Sequence, residues 1–326
     1  MKALELRDYN DGMLFEVDLE RPAAGPGQVL IRVVASGVNP IDDKIRTGVA
    51  PYAMPDLPAI LGTDVSGVVE AVGPGVTRFK QGDDVYGLAG GVRGLAGSLA
   101  EFMVADADLI AIKPANLTHH QAAAVPLVFL TAWEGLVDNA DVQAGQSVLV
   151  QGGTGGVGHM AVQIAKALGA NVFATVSEPK AALVAELGAT PIKRSTPVSQ
   201  YLYEHTAGVG FDVVYDTVGG AVLDDALIAA KHYGHVTSCA AFGNHNLAPG
   251  SLRSVTLSGV FVLLPMLSGN GRARHGRILE RATQLIEAGS VRPVIDQRAF
   301  TLADALAAHA AVSDGTAIGK IVIDVA

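Results

Sequence analysis

The run Val148-Leu149-Val150-Gln151-Gly152-Gly153-Thr154-Gly155-Gly156-Val157-Gly158 constrains this chain more than any other segment. It holds Gly153-x-Gly155-x-x-Gly158 directly after a short apolar strand and directly before an amphipathic helix, Gly156 to Leu168. In that setting the first glycine permits a tight turn, the second lets the backbone approach a pyrophosphate, and the third lets helix and strand pack closely. The helix N-terminus adds free N–H groups and a partial positive charge of about half a unit. Gly153, Thr154, Gly155, Gly156, Val157 and Gly158 are therefore candidate dinucleotide-binding residues. The same spacing outside a strand–turn–helix context would mean no more than a tight turn.

The surrounding rhythm fits. Ser147 to Gln151, Asn171 to Val176, Phe211 to Asp216 and His235 to Ser238 read as short apolar strands, with helices over Gly156 to Leu168 and Glu178 to Leu187. Strands alternating with helices at this spacing imply a parallel sheet covered on both faces. The first hundred residues differ: Gln28 to Ala35, Ser66 to Val72, Asp83 to Leu88 and Leu99 to Val104 are β-rich segments bounded by Gly, Pro or Asp. A helical stretch, His119 to Asn139, is interrupted by Pro126. Two helices, Arg277 to Ala288 and Leu302 to Val312, and a strand, Lys320 to Val325, follow. A length of 326 residues suits two domains.

Charge and composition remove several classes. The chain carries 23 basic and 32 acidic residues and a formal charge of −9. No Lys/Arg-rich run exists to form a nucleic-acid footprint or a polybasic membrane patch. The longest apolar runs fall far below the ~20 residues that span a bilayer, and Met1 to Asp8 has no signal-peptide core, so a cytoplasmic location is expected. Cys239 is the only cysteine, which excludes an internal disulfide and any multi-thiolate metal site; it reads as a small buried hydrophobe at a strand end.

The choice between NAD and NADP is made after the second strand of the nucleotide fold, where a carboxylate would bind the ribose hydroxyls and repel a 2′-phosphate. That strand ends Ala174-Thr175-Val176-Ser177 without an acid. Spacing alone nominates Glu178, but Ser177-Glu178-Pro179 reads as a helix N-cap and first turn. Ser177 and Lys180, with Arg194 after the third strand, are candidate 2′-phosphate donors, so NADPH is the expected cofactor.

With Val33-Val34-Ala35-Ser36-Gly37-Val38-Asn39-Pro40-Ile41-Asp42, then Leu61-Gly62-Thr63-Asp64-Val65-Ser66-Gly67-Val68-Val69-Glu70-Ala71-Val72-Gly73, then the glycine turn and Phe211-Asp212-Val213-Val214-Tyr215-Asp216-Thr217-Val218-Gly219, the chain resembles the medium-chain dehydrogenase/reductase superfamily. Within it, the chain resembles the zinc-free quinone oxidoreductases related to zeta-crystallin. The resemblance implies an α/β fold: a β-rich GroES-like catalytic domain (1–120), a Rossmann domain with a doubly wound parallel sheet (121–265), and a C-terminal return to the catalytic domain (266–326). It also implies a homodimer and a small-molecule substrate.

The zinc-dependent alcohol dehydrogenases of the superfamily are the alternative, together with a non-catalytic NADPH-binding role. At their first cysteine ligand this chain has Asn39, at their histidine ligand Thr63, and the third ligand position falls within Pro126 to Leu130, which holds no Cys, His or acid. The four-cysteine lobe is missing. Catalytic zinc needs three protein ligands with N, S or O donors, so no metal is expected. The resemblance instead places Asn39-Pro40-Ile41-Asp42-Asp43-Lys44-Ile45-Arg46 in the cleft facing the nicotinamide. Asn39, Asp42 and Arg46 match the family's pattern there, whereas Lys44 stands where many of these reductases have a tyrosine, and Tyr52 lies two residues beyond Ala50, which aligns with another. Asn39 is assigned as a hydrogen-bond donor near nicotinamide or substrate, Lys44 and Tyr52 as oxyanion or proton donors, and Asp42 and Arg46 as an ion pair holding the loop. Thr131, Phe242 and Asn244 are expected on the nicotinamide side, Trp133 in the core, and Leu257 to Leu264 as a dimer-edge strand. The expected activity is hydride transfer from NADPH to a quinone or an activated alkene.

Overall fold

The apolar alternation of Gln28–Val38 makes it the central strand of the N-terminal half, with Val29, Ile31, Val33 and Ala35 fully buried. The computed structural model describes residues 1–325. Its described residues divide into two units, one of residues 1–127, 263–289 and 293–325, the other of residues 128–262 and 290–292. In the first unit Gln28–Val38 pairs antiparallel with Asp64–Val72, Phe102–Asp106 and Ile321–Asp324. Asp84–Leu88 and Ile110–Ile112 extend that sheet beyond Asp64–Val72. Leu99 falls outside the expected strand, since its N–H donates to Leu61 O and its C=O accepts from Leu4 N–H, bonds of a loop crossing. The helix expected from Arg277 starts earlier, at Arg272, where the Arg272 guanidinium binds Asp106 at 2.8 Å.

The second unit is a six-stranded parallel sheet in the order Thr190–Lys193, Asn171–Val176, Ser147–Gln151, Phe211–Asp216, Ala230–Ser238, Thr256–Gly259. The first strand in sequence lies inside the sheet, and the chain runs outward from it in both directions, which is the doubly wound order. Three strands match the expected segments, and the fourth, Ala230–Ser238, begins earlier than expected. The expected strand Leu257 to Leu264 ends at Gly259, and Leu264–Ser268 is helical.

The expected helix His119 to Asn139 is three pieces: His119–Ala123, Pro126–Trp133 and a π-helical turn over Glu134–Asn139. Tyr215 explains the π turn. Its hydroxyl donates to Thr131 O at 2.6 Å, the carbonyl that the Gly135 N–H would use in an α-helix. A side chain at Gly135 would lie 2.7 Å from the Tyr215 ring, so only glycine fits. Trp133 stacks on Phe129 with ring centroids 5.7 Å apart and is half-buried. Cys239 is half-buried as well, and burial pushes its thiol up to about 12, so it has no thiolate character.

Candidate functional site

The glycine turn folds as strand, turn and helix, with Ser147–Gln151 leading to Gly156–Ala167. Gly152, one residue before the recognised pattern, takes the left-handed conformation at φ +84°. Its N–H donates to Thr175 Oγ1 at 3.0 Å, and the Gly153 N–H donates to Thr175 O at 3.0 Å, which ties the turn to the neighbouring strand. Gly158 is dictated by packing, because a Cβ there would stand 2.0 Å from Gly152 O.

Gly155 is different. Its φ of −72° suits any residue, and an added Cβ would meet only Gly152 O, at an ordinary 3.4 Å. The protein's own atoms do not require glycine here, and the space above the backbone is open to a group approaching it. Gly155 is also the helix N-cap and makes no side-chain cap, so the first helical N–H groups are left for a ligand. The turn therefore fits a dinucleotide pyrophosphate.

At the edge of the sheet, Ser177 follows the strand Asn171–Val176, and the Arg194 N–H donates to Val176 O at 2.8 Å. The expected helix from Glu178 is a 3-10 turn, Glu178–Lys180, followed by Ala181–Glu186. Ser177 sits at the N-cap position, but its hydroxyl makes no capping bond, a departure from its expected role as a cap. Glu178 is paired with Lys193 at 2.6 Å. Lys180 is half-buried and Arg194 exposed. Thr131 is buried, whereas Phe242 and Asn244 are exposed on the loop after Ala230–Ser238, with Phe242 at 62%.

The first unit holds the substrate-side candidates. Asn39 precedes the short helix Pro40–Arg46, on which Lys44 is exposed. Tyr52 lies in the following turn, partly exposed, and burial raises its hydroxyl pKa above the ordinary 10. The expected Asp42–Arg46 pair does not form: Arg46 pairs with Asp43 at 2.6 Å, and its Nη1 donates to Gly12 O at 2.7 Å. Asp42 points inward and accepts the Asn39 N–H at 2.8 Å.

Asn39 also corrects its expected role. Its amide, fully buried, donates to Thr63 Oγ1 at 3.1 Å and to Asp64 Oδ2 at 2.9 Å, and its Oδ1 accepts from Lys320 Nζ. Both N–H groups are spent inside the protein, so the side chain anchors the loop and offers no donor to a substrate. Lys320, which nothing in its sequence surroundings singles out, completes this network. Its ammonium donates to Val38 O at 2.8 Å and stands 3.5 Å from Asp64 Oδ2. Asp64 Oδ1 accepts the Leu127 N–H at 2.9 Å. The cause is register, since Ile321 pairs with Val38 in antiparallel strands and so sets Lys320 opposite Asn39.

These groups are buried together, and their ionisation shifts accordingly. Burial pushes Asp42 up to about 7, with Asp64 adding to the shift and the Asn39 N–H opposing it. Asp64 is raised by burial against the pull of Lys320, and Lys320 is lowered by burial against the pull of Asp64. Asp42 Oδ1 has no hydrogen-bond partner. Zinc does not fit here. Asn39 and Thr63 stand at the positions that the resemblance assigns to a cysteine and a histidine ligand, and they are bonded to each other, with a lysine ammonium on the adjacent carboxylate. Among the described residues, no group of three His, Cys, Asp or Glu side chains could hold a metal ion.

A doubly wound parallel sheet with an open glycine turn at its first strand, in a chain whose other unit is an antiparallel β-rich body, is an architecture used by nicotinamide-nucleotide oxidoreductases. Residues 25–115 match the alcohol dehydrogenase GroES-like domain and residues 156–270 the zinc-binding dehydrogenase family. The chain is 36% identical to 2-methylene-furan-3-one reductase of Solanum lycopersicum over 99% of its length and 79% of that protein. It is 34% identical, with the same coverage, to the chloroplastic NADPH-dependent alkenal/one oxidoreductase of Arabidopsis thaliana. A solved alcohol dehydrogenase superfamily protein from Novosphingobium aromaticivorans shares 51% identity with a TM-score of 0.98, each chain covered in full. The protein belongs to the medium-chain dehydrogenase/reductase superfamily. No helix among the described residues is long and apolar enough to cross a membrane.

Proposed function

We propose that the protein is a metal-independent, NADPH-dependent reductase that delivers hydride to the activated double bond of an enone or alkenal, or to a quinone. The observation that carries this reading is the filled metal position: an amide, a hydroxyl and a lysine ammonium occupy it, so carbonyl activation falls to protein donors. Two relatives named for reduction of unsaturated carbonyl compounds support the substrate class. One of them is named NADPH-dependent, in line with the absence of a strand-end acid before Ser177.

Bound NADPH supplies the hydride. The amides of Gly156, Val157 and Gly158 hold its pyrophosphate, with Thr154 and Gly155 leaving room for it. Ser177, Lys180 and Arg194 take the 2′-phosphate, and Thr131, Phe242 and Asn244 serve the nicotinamide end. Hydride addition to an unsaturated carbonyl builds negative charge on the carbonyl oxygen. Lys44 and Tyr52 are the donors assigned to that oxygen; a tyrosine hydroxyl carries its proton at neutral pH, and burial raises the Tyr52 pKa further above the ordinary 10. Losing one such donor costs ~3 kcal/mol, about a hundredfold in rate.

Stopped-flow oxidation of NADPH and NADH against a panel of cyclic enones, alkenals and quinones tests the reading, together with metal analysis of the purified protein. Turnover with NADPH and less than one-tenth of a zinc per chain are expected. Silence across the panel refutes the reductase, and about one tightly held zinc per chain refutes the metal-free mechanism. Lys180→Ala is expected to bring the two cofactors closer in kcat/KM, and an unchanged preference removes Lys180 from the 2′-phosphate site.

A further inference from the structure

The network around Asn39 has a feature that stability alone does not explain. Replacing a buried ion pair by apolar groups is often neutral or stabilising, whereas deleting one partner leaves an uncompensated charge. Here a lysine 3% exposed faces two carboxylates 1% and 0% exposed, and one carboxylate oxygen, Asp42 Oδ1, has no partner. Such a cluster is costly to assemble, so what it does for the fold must be geometric.

The lysine is held rigidly from its own backbone. Its N–H donates to Val294 O at 2.9 Å and its C=O accepts the Asp296 N–H at 2.9 Å. Gly319 before it allows this approach, since a Cβ there would lie 2.1 Å from Val294 O. From that fixed base the ammonium reaches Val38 O, Asn39 Oδ1 and the Asp64 carboxylate. Asn39 in turn is the N-cap of Pro40–Arg46: its N–H donates to the Asp42 carboxylate at 2.8 Å and its C=O accepts the Asp42 N–H at 3.0 Å. Three segments far apart in sequence therefore meet on one cation, and that cation controls where the helix carrying Lys44 begins.

We infer that Lys320 is a positioning residue for the reaction: its buried ammonium clamps Asn39 and Asp64, fixes the N-terminus of Pro40–Arg46, and so sets the place of Lys44 and of the turn bearing Tyr52. It does for this loop what a bound cation would do, with a side chain in place of an ion. The kinetic part of this inference rests on the reductase reading above; the structural part does not.

The test uses the full chain with Lys320→Met, Lys320→Arg and the charge-balanced pair Lys320→Met/Asp64→Asn. Hydrogen exchange read by mass spectrometry is expected to accelerate at least tenfold over residues 40–47 in Lys320→Met/Asp64→Asn, with the sheet Ser147–Gln151 unchanged. With an active enone substrate, kcat is expected to fall at least tenfold in the same variant, while the dissociation constant for NADPH stays within twofold of the parent. Lys320→Arg, which keeps a buried cation, should recover part of that kcat. If the charge-balanced pair restores both loop protection and kcat, Lys320 serves only to neutralise Asp64 and the inference is overturned. Should Lys320→Met fail to fold, the charge-balanced pair carries the comparison. If the parent enzyme is silent on every substrate, the reductase reading fails, and the exchange data decide the positioning role by themselves.

Discussion

Replacing Asp42 by asparagine removes one titrating group from a buried cluster and leaves its shape nearly unchanged. Asp42 accepts the Asn39 N–H at 2.8 Å, and an asparagine oxygen can keep that bond. Asp64 and Lys320 are the charged groups facing it. Burial raises its pKa from the ordinary 3.8 to about 7 in the folded protein, equivalent to about 4 kcal/mol of linkage. Because the folded value is raised, the folded state binds more protons than the unfolded state between those two pKa values. The contribution is fully present below pH ~4 and is lost as pH rises through ~7. Asp42→Asn does not titrate, so it should gain stability relative to the parent by about 4 kcal/mol between pH 4 and pH 8. Any fixed penalty for the new amide, about 1–3 kcal/mol if its N–H groups find no acceptor, shifts the whole difference curve without changing its slope. Thermal unfolding of both proteins across this range provides the assay. At about 2–4 °C per kcal/mol, the difference in melting temperature should move by roughly 10 °C in favour of the variant as pH rises. Parallel curves would show that Asp42 is ionised throughout, and the argument for a proton held in this cluster would collapse.

Two histidines act in the opposite sense: burial lowers His275 and His309 to about 4. Both must stay neutral in the fold, so each costs about 3 kcal/mol of stability as pH falls from about 6.5 to 4; His275→Leu should flatten that acid loss, and an unchanged acid limb counts against it. Gly155→Ala should leave the melting temperature within about 2 °C of the parent yet weaken NADPH about tenfold by titration calorimetry, because only a ligand needs the space; unaltered affinity removes the cradle argument. Gly158→Ala should destabilise by about 2 kcal/mol or more in thermal unfolding, since its Cβ would collide with Gly152 O at 2.0 Å, and a variant as stable as the parent contradicts that packing. The strand Thr256–Gly259 is an edge with Leu257 40% exposed, and sedimentation equilibrium should give twice the chain mass at micromolar concentration; a monomer there refutes the homodimer.

The parts of the fold that could be read from sequence were those whose cause is local. Ser147–Gln151 ends at Gly152, Phe211–Asp216 starts after Gly210, Asn171–Val176 follows Gly169-Ala170 and stops at Ser177, and the helix after Gly155 starts where the glycine spacing places it. Boundaries failed where a distant side chain decided them. Tyr215, 84 residues from Thr131, takes the carbonyl that would have continued an α-helix and forces the π turn at Glu134–Asn139. The same holds for the candidate site. The strand, turn and helix around Gly153 to Gly158 were legible because the glycine spacing sets the backbone there. The role of Asn39 was not, because Lys320 lies 281 positions away and meets it only through the pairing of Ile321 with Val38.

The two glycines that matter most make the same distinction within a single turn. Gly158 is explained by the protein's own atoms, whereas Gly155 has no such explanation and is the glycine proposed to make room for the pyrophosphate. Lys320 is the reverse case: a charge that is costly to bury sits against Asn39, the residue that starts the helix carrying Lys44. If both inferences hold, phosphate binding and substrate positioning are separable by mutation. Gly155→Ala would raise the dissociation constant for NADPH and leave kcat at saturation nearly intact. Lys320→Met/Asp64→Asn would lower kcat and leave NADPH binding alone. A variant of either kind that moved both quantities together would mean that the two sets of residues act as one structural unit, and the division of labour drawn from the geometry would be wrong.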